Sequence, residues 1–124
     1  MTKRYKVEAD SGLKGPFPLD EATVRKVGAT AGVYVLAERV GRSYVACYIG
    51  RSDSLRRRLS DHVGRYSSFY IKYIATGVGA YFAECDLFHK YGKASCLDNK
   101  VHPAVPKGVN LPPCSQKGCL GEPY

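Results

Sequence analysis

Residues 31–62, "AGVYVLAERVGRSYVACYIGRSDSLRRRLSDH", contain the pattern that decides the fold. Residues 32–38 and 43–49 are rich in β-branched and aromatic side chains and have the length of strands. The segment "RVGR" between them, centred on Gly41, predicts a hairpin. After Gly50 a turn leads into a segment whose apolar residues recur at helical spacing, so the pattern predicts strand, strand and helix in that order.

The register of this hairpin determines where its tyrosines lie. With Gly41 as the midpoint, Tyr34 is expected opposite Tyr48, and Leu36 opposite Ala46. Directly opposed side chains have Cβ atoms roughly 5 Å apart, so the two tyrosines are expected to project together from one face of the sheet. A slip of one residue would send them to opposite faces.

The helix after the hairpin has recognisable ends and one apolar stripe. Ser52 or Asp53 is the expected N-cap, and Gly64 is the expected stop signal. The stripe consists of Leu55, Leu59, Val63 and His62. We therefore expect this helix to pack on the sheet, with a histidine at the border of the packed face.

Positive charge is concentrated around this helix. Between Arg51 and Lys72 there are six cations and two anions, a balance of +4, in a chain whose net charge is +8. Arg58 borders the apolar stripe one turn before His62, whereas the other two arginines of the run point elsewhere. This basic region predicts nucleic acid as the partner. The residues expected to contact the sugar–phosphate backbone of the nucleic acid are Arg51, Arg56, Arg57, Arg65 and Lys72.

A glutamate stands on the apolar face of a second helix. Residues 69–76 alternate as a third strand, and a helix is predicted over about residues 78–91. On this helix Glu84 shares one face with Ala80, Ala83, Leu87 and Tyr91. A carboxylate in that position is costly unless it is paired or bound to a metal ion. Arg58 is the candidate ion-pair partner, and a divalent cation is the preferred alternative.

Three segments are expected along the chain. Residues 1–30 form an N-terminal extension with a short strand in "YKVEA", a breaker in "LKGPFP" and one or two helical turns capped by Asp20. Residues 31–103 form the core, and residues 104–124 form an irregular tail that contains proline and cysteine. Cys96, His102, Cys114 and Cys119 lack the two close pairs typical of a zinc site, so structural zinc is not expected.

Length and composition limit the class of protein. A chain of 124 residues supports one domain. No apolar run approaches the roughly 18 residues of a membrane span, and the basic stretch "MTKRYKVEADSG" lacks the apolar run expected of a signal peptide. The five cysteines are an odd number and are expected as free thiols. These features predict a cytoplasmic protein without membrane association.

The side chains that stand out suit phosphodiester hydrolysis. They are Tyr34, Tyr48, Arg58, His62 and Glu84, with Asn99 as a sixth. A carboxylate holds a hard divalent cation, which polarises phosphate and water. An arginine offsets the charge that develops on the phosphoryl oxygens, and a tyrosine or histidine removes the proton of the attacking water.

These residues lie in motifs that resemble a known family. "AGVYVL" followed by "CYIG" resembles the paired motifs of the GIY-YIG nucleases, with Val33 in place of the isoleucine of the motif. "YIGRSDSLRRRLSDH" is similar to the family's helix, with Arg58 at its arginine and His62 at the histidine that some members carry. "AECDLFHKYG" resembles the helix with the metal-binding glutamate, and "LDNKVHP" has Asn99 where many members carry asparagine. The resemblance covers about residues 31–103.

The resemblance implies an α+β fold, with a small three-stranded antiparallel sheet flanked by helices. It also implies an endonuclease that cuts DNA with one Mg²⁺ or Mn²⁺ ion bound through Glu84 and leaves a 5′-phosphate. Tyr34 would be the base or position the water, Tyr48 would hold water or phosphate, and Arg58 would steady the scissile phosphate. Whether Tyr34 or His62 is the base stays open, because a phenol has a reference pKa near 10 and an imidazole one near 6.5.

Two other functions are compatible with the same sequence. One is a nucleic-acid-binding module that keeps the fold without turnover, against which the complete set of site residues argues. The other is a protein-interaction domain that uses the tail as a docking segment. The sequence contains no motif of an appended specificity domain, so either structure-selective or weakly selective cutting, or a targeting partner protein, is expected. A homodimer is compatible with the sequence, because one site per chain would favour two copies for cutting both strands of a duplex.

Overall fold

The computed structural model describes residues 4–8, 12–99, 103, 104, 106 and 108, and the described part contains four strands and four helices. In chain order these are β1 (Lys14–Pro18), α1 (Glu21–Val24), β2 (Gly32–Val40), β3 (Ser43–Ser52), α2 (Leu55–His62), β4 (Ser68–Tyr73), α3 (Gly77–Lys90) and α4 (Lys93–Cys96). None of the helices in this part of the chain has the length and apolar character needed to cross a bilayer.

One antiparallel sheet, in the order β1-β4-β2-β3, organises the fold. The predicted α+β class is confirmed, but the prediction of three strands is wrong because β1 adds a fourth. The segment with Pro16 and Pro18, expected to break regular structure, pairs with β4 through Phe17 and Phe69. Proline has no backbone donor and is tolerated on an edge strand, which is the position of β1.

The hairpin forms around Gly41 as predicted, but its predicted register is wrong. Tyr34 pairs with Gly50 and Leu36 with Tyr48, a shift of two residues from the expected partners. Beyond Leu36 the register shifts again, and Cys47 is the extra residue of a bulge. Because two residues is one full period of a strand, both tyrosines still project from the same face.

The two faces of the sheet are covered by different helices. The apolar face of α3 packs with Val33, Val35 and Ile49 on one side. On the other side Leu55 and Leu59 of α2, both buried as predicted, pack with residues of β2 and β4 and with α1. The site residues of α2 and α3 therefore lie on opposite faces and meet only around the β3 edge.

Side-chain caps define where the helices begin. Asp20 caps α1 as predicted, its carboxylate accepting a hydrogen bond from the backbone N–H of Thr23. The N-cap of α2 is Ser54, not Ser52 or Asp53. The side-chain oxygen of Ser52 instead accepts from the backbone N–H of Ser54 and so supports the cap.

Residues 4–7 and 98–99 lie along β3. Lys6 forms a bridge with Val45, in the short extended segment predicted near the N-terminus. Arg4 forms a 2.7 Å ion pair with Asp98, and the Tyr66 hydroxyl donates to the other oxygen of that carboxylate. Cys47 and Cys96 carry free thiols. His102, Cys114 and Cys119 lie outside the described residues.

Candidate active site

Three aromatic side chains form a cluster at the β3 edge. The rings of Tyr34 and Tyr48 are nearly parallel, with centroids 6.3 Å apart. His62, from the end of α2, lies 5.7 Å from the first ring and 5.5 Å from the second. Its Nε2 atom is 3.3 Å from the hydroxyl oxygen of Tyr34. Residues from two strands and one helix, separated in sequence, thus share one site.

Gly50 makes this cluster possible. It lies directly opposite Tyr34 in the ladder, and a Cβ atom at position 50 would overlap the hydroxyl end of the Tyr34 ring. The ring therefore lies across the backbone of β3, where Tyr48 becomes its diagonal neighbour. The glycine of the second motif is required here for close approach of a side chain to the backbone.

Replacing Gly50 with alanine is expected to destabilise the protein by about 1–3 kcal/mol, because the added methyl group has to displace a buried ring. The melting temperature should fall by roughly 3–12 °C. The matched control is Gly77→Ala in the first turn of α3, where the new Cβ meets nothing within 4 Å. That variant should be neutral or slightly more stable. Equal melting temperatures for the two variants would contradict the assigned role of Gly50.

Burial keeps both members of the Tyr34–His62 pair uncharged. Tyr34 is only 2% exposed, and its pKa is raised above the usual range. Desolvation is the larger cause of this shift, and the nearby Tyr48 is the second. Arg58 acts in the opposite direction on the same group. The pKa of His62 is lowered below its ordinary value, mainly by desolvation. The positive charges of Arg65 and Arg58 lower it further. A neutral imidazole with Nε2 beside a phenol is suited to accept a proton from it.

Glu84 is buried and carries an ion pair. Its Oε1 atom lies 2.6 Å from the guanidinium of Arg51, which also donates to the carbonyl of Ala104 at 2.6 Å. Desolvation raises the pKa of Glu84, and Arg51 opposes that shift. The sequence indicated Arg58 as the candidate partner, but the partner is the arginine that follows Gly50. Successive strand residues point to opposite faces, so residue 51 is directed toward α3.

An open cleft of about 420 Å³ lies where β3 passes into α2 and where α3 begins. Its lining includes three arginines, Arg51, Arg57 and Arg58, together with Ser52, Asp53 and Ser54. Ala80, one turn before Glu84, forms part of the wall. The cleft therefore brings Arg57 and Arg58 of α2 to one surface with Arg51, the ion-pair partner of Glu84.

Asn99 holds the edge strand rather than facing the cleft. Its side-chain amide donates to the carbonyl of Ile49 at 2.7 Å and accepts from the N–H of the same residue at 2.9 Å. Ile49 stands between Tyr48 and Gly50, so this double hydrogen bond positions the backbone that carries the aromatic cluster.

The other basic residues are dispersed. Arg65 is close enough to His62 to lower its pKa. Arg56 donates to the carbonyl of Val27 on the α1 side, and Lys72 lines a groove with Asp86 and Lys90 next to α3. Neither Arg56 nor Lys72 lines the arginine-rich cleft.

A divalent cation at this site would depend on Glu84. Among the residues that the structure describes, no group of three or more His, Cys, Asp or Glu side chains is arranged to hold a metal ion. Mg²⁺ keeps several waters and takes one or two carboxylates together with phosphate oxygens, so one carboxylate beside an arginine-lined cleft fits its needs. Arg51 contacts Oε1 of that carboxylate, and the cation therefore competes with an ion pair.

Sequence reasoning did not identify two features of the site. The first is the Arg51–Glu84 ion pair, which the alternation of strand residues could have indicated. The second is the position of Gly50 under the Tyr34 ring, for which a glycine at a strand end was the available signal.

The fold and site define a small α+β protein with a tyrosine–histidine cluster beside an arginine-lined cleft. Comparison with protein-family models, with curated proteins and with solved structures finds no match for this chain.

Proposed function

We propose that this chain is a metal-dependent endonuclease of the GIY-YIG type that hydrolyses phosphodiester bonds in DNA. The observation that carries the proposal is the convergence of Tyr34, Tyr48 and His62 at the β3 edge, next to a cleft that contains Arg58. Glu84 of α3 contributes to raising the pKa of Tyr34, after desolvation and Tyr48, which supports including the carboxylate in the proposed site.

In the proposed mechanism, Arg58 binds the scissile phosphate and offsets the negative charge that develops on its oxygens. The Tyr34 oxygen takes a proton from the attacking water while its own proton passes to His62 Nε2, 3.3 Å away. The water oxygen bonds to phosphorus and the bond to the 3′ oxygen breaks, so that the 3′ oxyanion leaves and takes a proton from solvent water; the products are a 5′-phosphate and a 3′-hydroxyl. Glu84 is the residue that would hold a divalent cation, which when bound would polarise the phosphate.

A second candidate function is a nucleic-acid-binding module without turnover. It is favoured by the closed Arg51–Glu84 pair, which satisfies the buried carboxylate without a metal ion, and by the low exposure of Tyr34. The two functions share the basic cleft and differ in whether bond cleavage follows binding.

A cleavage assay on supercoiled plasmid and on branched DNA tests the proposal. In the presence of Mg²⁺ or Mn²⁺ we expect nicked and linear products, and none in EDTA. The 5′ ends should be phosphorylated, which ligation to a 3′-hydroxyl acceptor checks. If all substrates stay intact while salt-sensitive DNA binding is retained, the binding-module function replaces the nuclease. A targeting partner would add target selection to this activity, and a homodimer would allow both strands of a duplex to be cut.

A further inference from the structure

The arginine-lined cleft contains two guanidinium groups whose charge is not neutralised. Arg57 and Arg58 are consecutive residues of α2, both are exposed, and both line the cleft. Within the described part of the chain, no carboxylate lies within ion-pair distance of either side chain. Arg51 differs, because Glu84 and the Ala104 carbonyl already satisfy it. The cleft thus has capacity for more than one phosphate group.

The size of the cleft limits what enters it. A volume of about 420 Å³ lies within the range of roughly 300–1,000 Å³ typical of small-ligand sites. A cleft of this size accommodates one nucleotide unit of a separated strand. A double helix is too wide for it and would bring its phosphates only to the rim.

The lining of the cleft indicates which part of a nucleotide is bound. The apolar residues of its wall are small, namely Ala31, Ala75, Ala80 and Pro106, and no aromatic side chain is among the described lining residues. Bases without sequence preference are held by stacking on aromatic rings. The polar lining consists of arginine and serine with one carboxylate, Asp53, among the described lining residues, and this excess of positive charge suits the sugar–phosphate backbone rather than a base.

We infer that the cleft binds the phosphate of an unpaired nucleotide next to the scissile one, with Arg57 as its contact. This inference rests on the proposed nuclease function and defines its substrate class as DNA with a single-stranded segment at the cleavage point. Arg58 holds the scissile phosphate, and the adjacent Arg57 holds its neighbour along the strand. Continuous duplex is the poorer substrate because it cannot place a backbone in the cleft.

Fluorescence anisotropy in EDTA tests this inference without cleavage. The probes are a fluorescein-labelled 12-nucleotide oligothymidylate and a labelled 12-base-pair duplex. Wild type should bind the single strand at least fivefold more tightly. Arg57→Gln should weaken single-strand binding about tenfold and reduce the salt slope by about 0.7, the value for one lost contact to a single strand.

Arg42→Gln is the matched control, because Arg42 is an exposed arginine in the hairpin turn outside the cleft and the charge change is the same. It should alter single-strand affinity less than twofold. Equal affinity of wild type for strand and duplex, or equal effects of the two substitutions, would overturn the inference. If binding depends on Arg57 but plasmid and branched DNA stay uncut, the cleft assignment stands and the nuclease function fails.

Discussion

Glu84→Gln is expected to remove metal-dependent cleavage while DNA binding stays nearly unchanged. The amide keeps the size of the buried side chain but lacks the negative charge that would hold a divalent cation. Because a bound cation contributes several kcal/mol to a phosphoryl transition state, the cleavage rate should fall by about 10³-fold or more. Single-turnover cleavage in Mn²⁺ measures this loss, and anisotropy in EDTA measures the retained binding.

Asp86→Asn is the matched control, since Asp86 is an exposed carboxylate two residues further along α3. It should leave cleavage within twofold of wild type. Circular dichroism at the assay temperature shows whether Glu84→Gln is folded, because the substitution also leaves Arg51 without its ion pair. Binding of Mn²⁺, followed by its electron paramagnetic resonance signal, should be lost in the variant. A variant that is folded and still cleaves would refute Glu84 as the metal ligand.

Tyr34→Phe is expected to lower the cleavage rate by about 10²–10⁴-fold at pH 7, the contribution typical of a positioned acid–base group. The variant loses only the hydroxyl that faces His62 Nε2, and the ring can still lie across Gly50. DNA affinity should therefore stay the same. Tyr70→Phe provides the control, because it removes a hydroxyl from a largely buried tyrosine whose ring packs with the opposite core cluster.

The pH profile distinguishes which member of the pair accepts the proton. His62 has a lowered pKa and must be neutral to accept, so wild-type cleavage should be level near pH 7 and fall only below about 6.5. If the phenolate of Tyr34 were the active form, its raised pKa would make the rate climb with pH through the whole alkaline range. Single-turnover rates at saturating metal between pH 5 and 9 separate the two profiles.

The sequence predicted the secondary structure of the core well. Strand composition and the spacing of Leu55 and Leu59 are local properties, and they identified the hairpin and the buried face of α2. The hairpin register was not accessible, because the bulge at Cys47 depends on backbone pairing rather than on side-chain pattern. The fourth strand was missed because its prolines argue against a strand unless its edge position is already known.

The prediction of the site had a similar limit. Composition and motif order singled out Tyr34, Tyr48 and His62, which the structure brings into one cluster. The partner of Glu84 depends on how the twisted edge of a sheet meets a helix, and linear spacing does not contain that information.

The outer edge of β3 has consequences for assembly. Backbone groups of Tyr44 and Ala46 form hydrogen bonds with residues 7 and 5. Those of Cys47 and Ile49 form hydrogen bonds with residues 98 and 99. The opposite edge of the sheet is β1, where two prolines cannot donate hydrogen bonds. Within the described residues, these stretches of the two edges therefore offer little open backbone to a strand from a neighbouring molecule. Pairing through these stretches is disfavoured, so two copies of this protein that act together on both strands of a duplex are expected to associate through other surfaces, with two separate sheets.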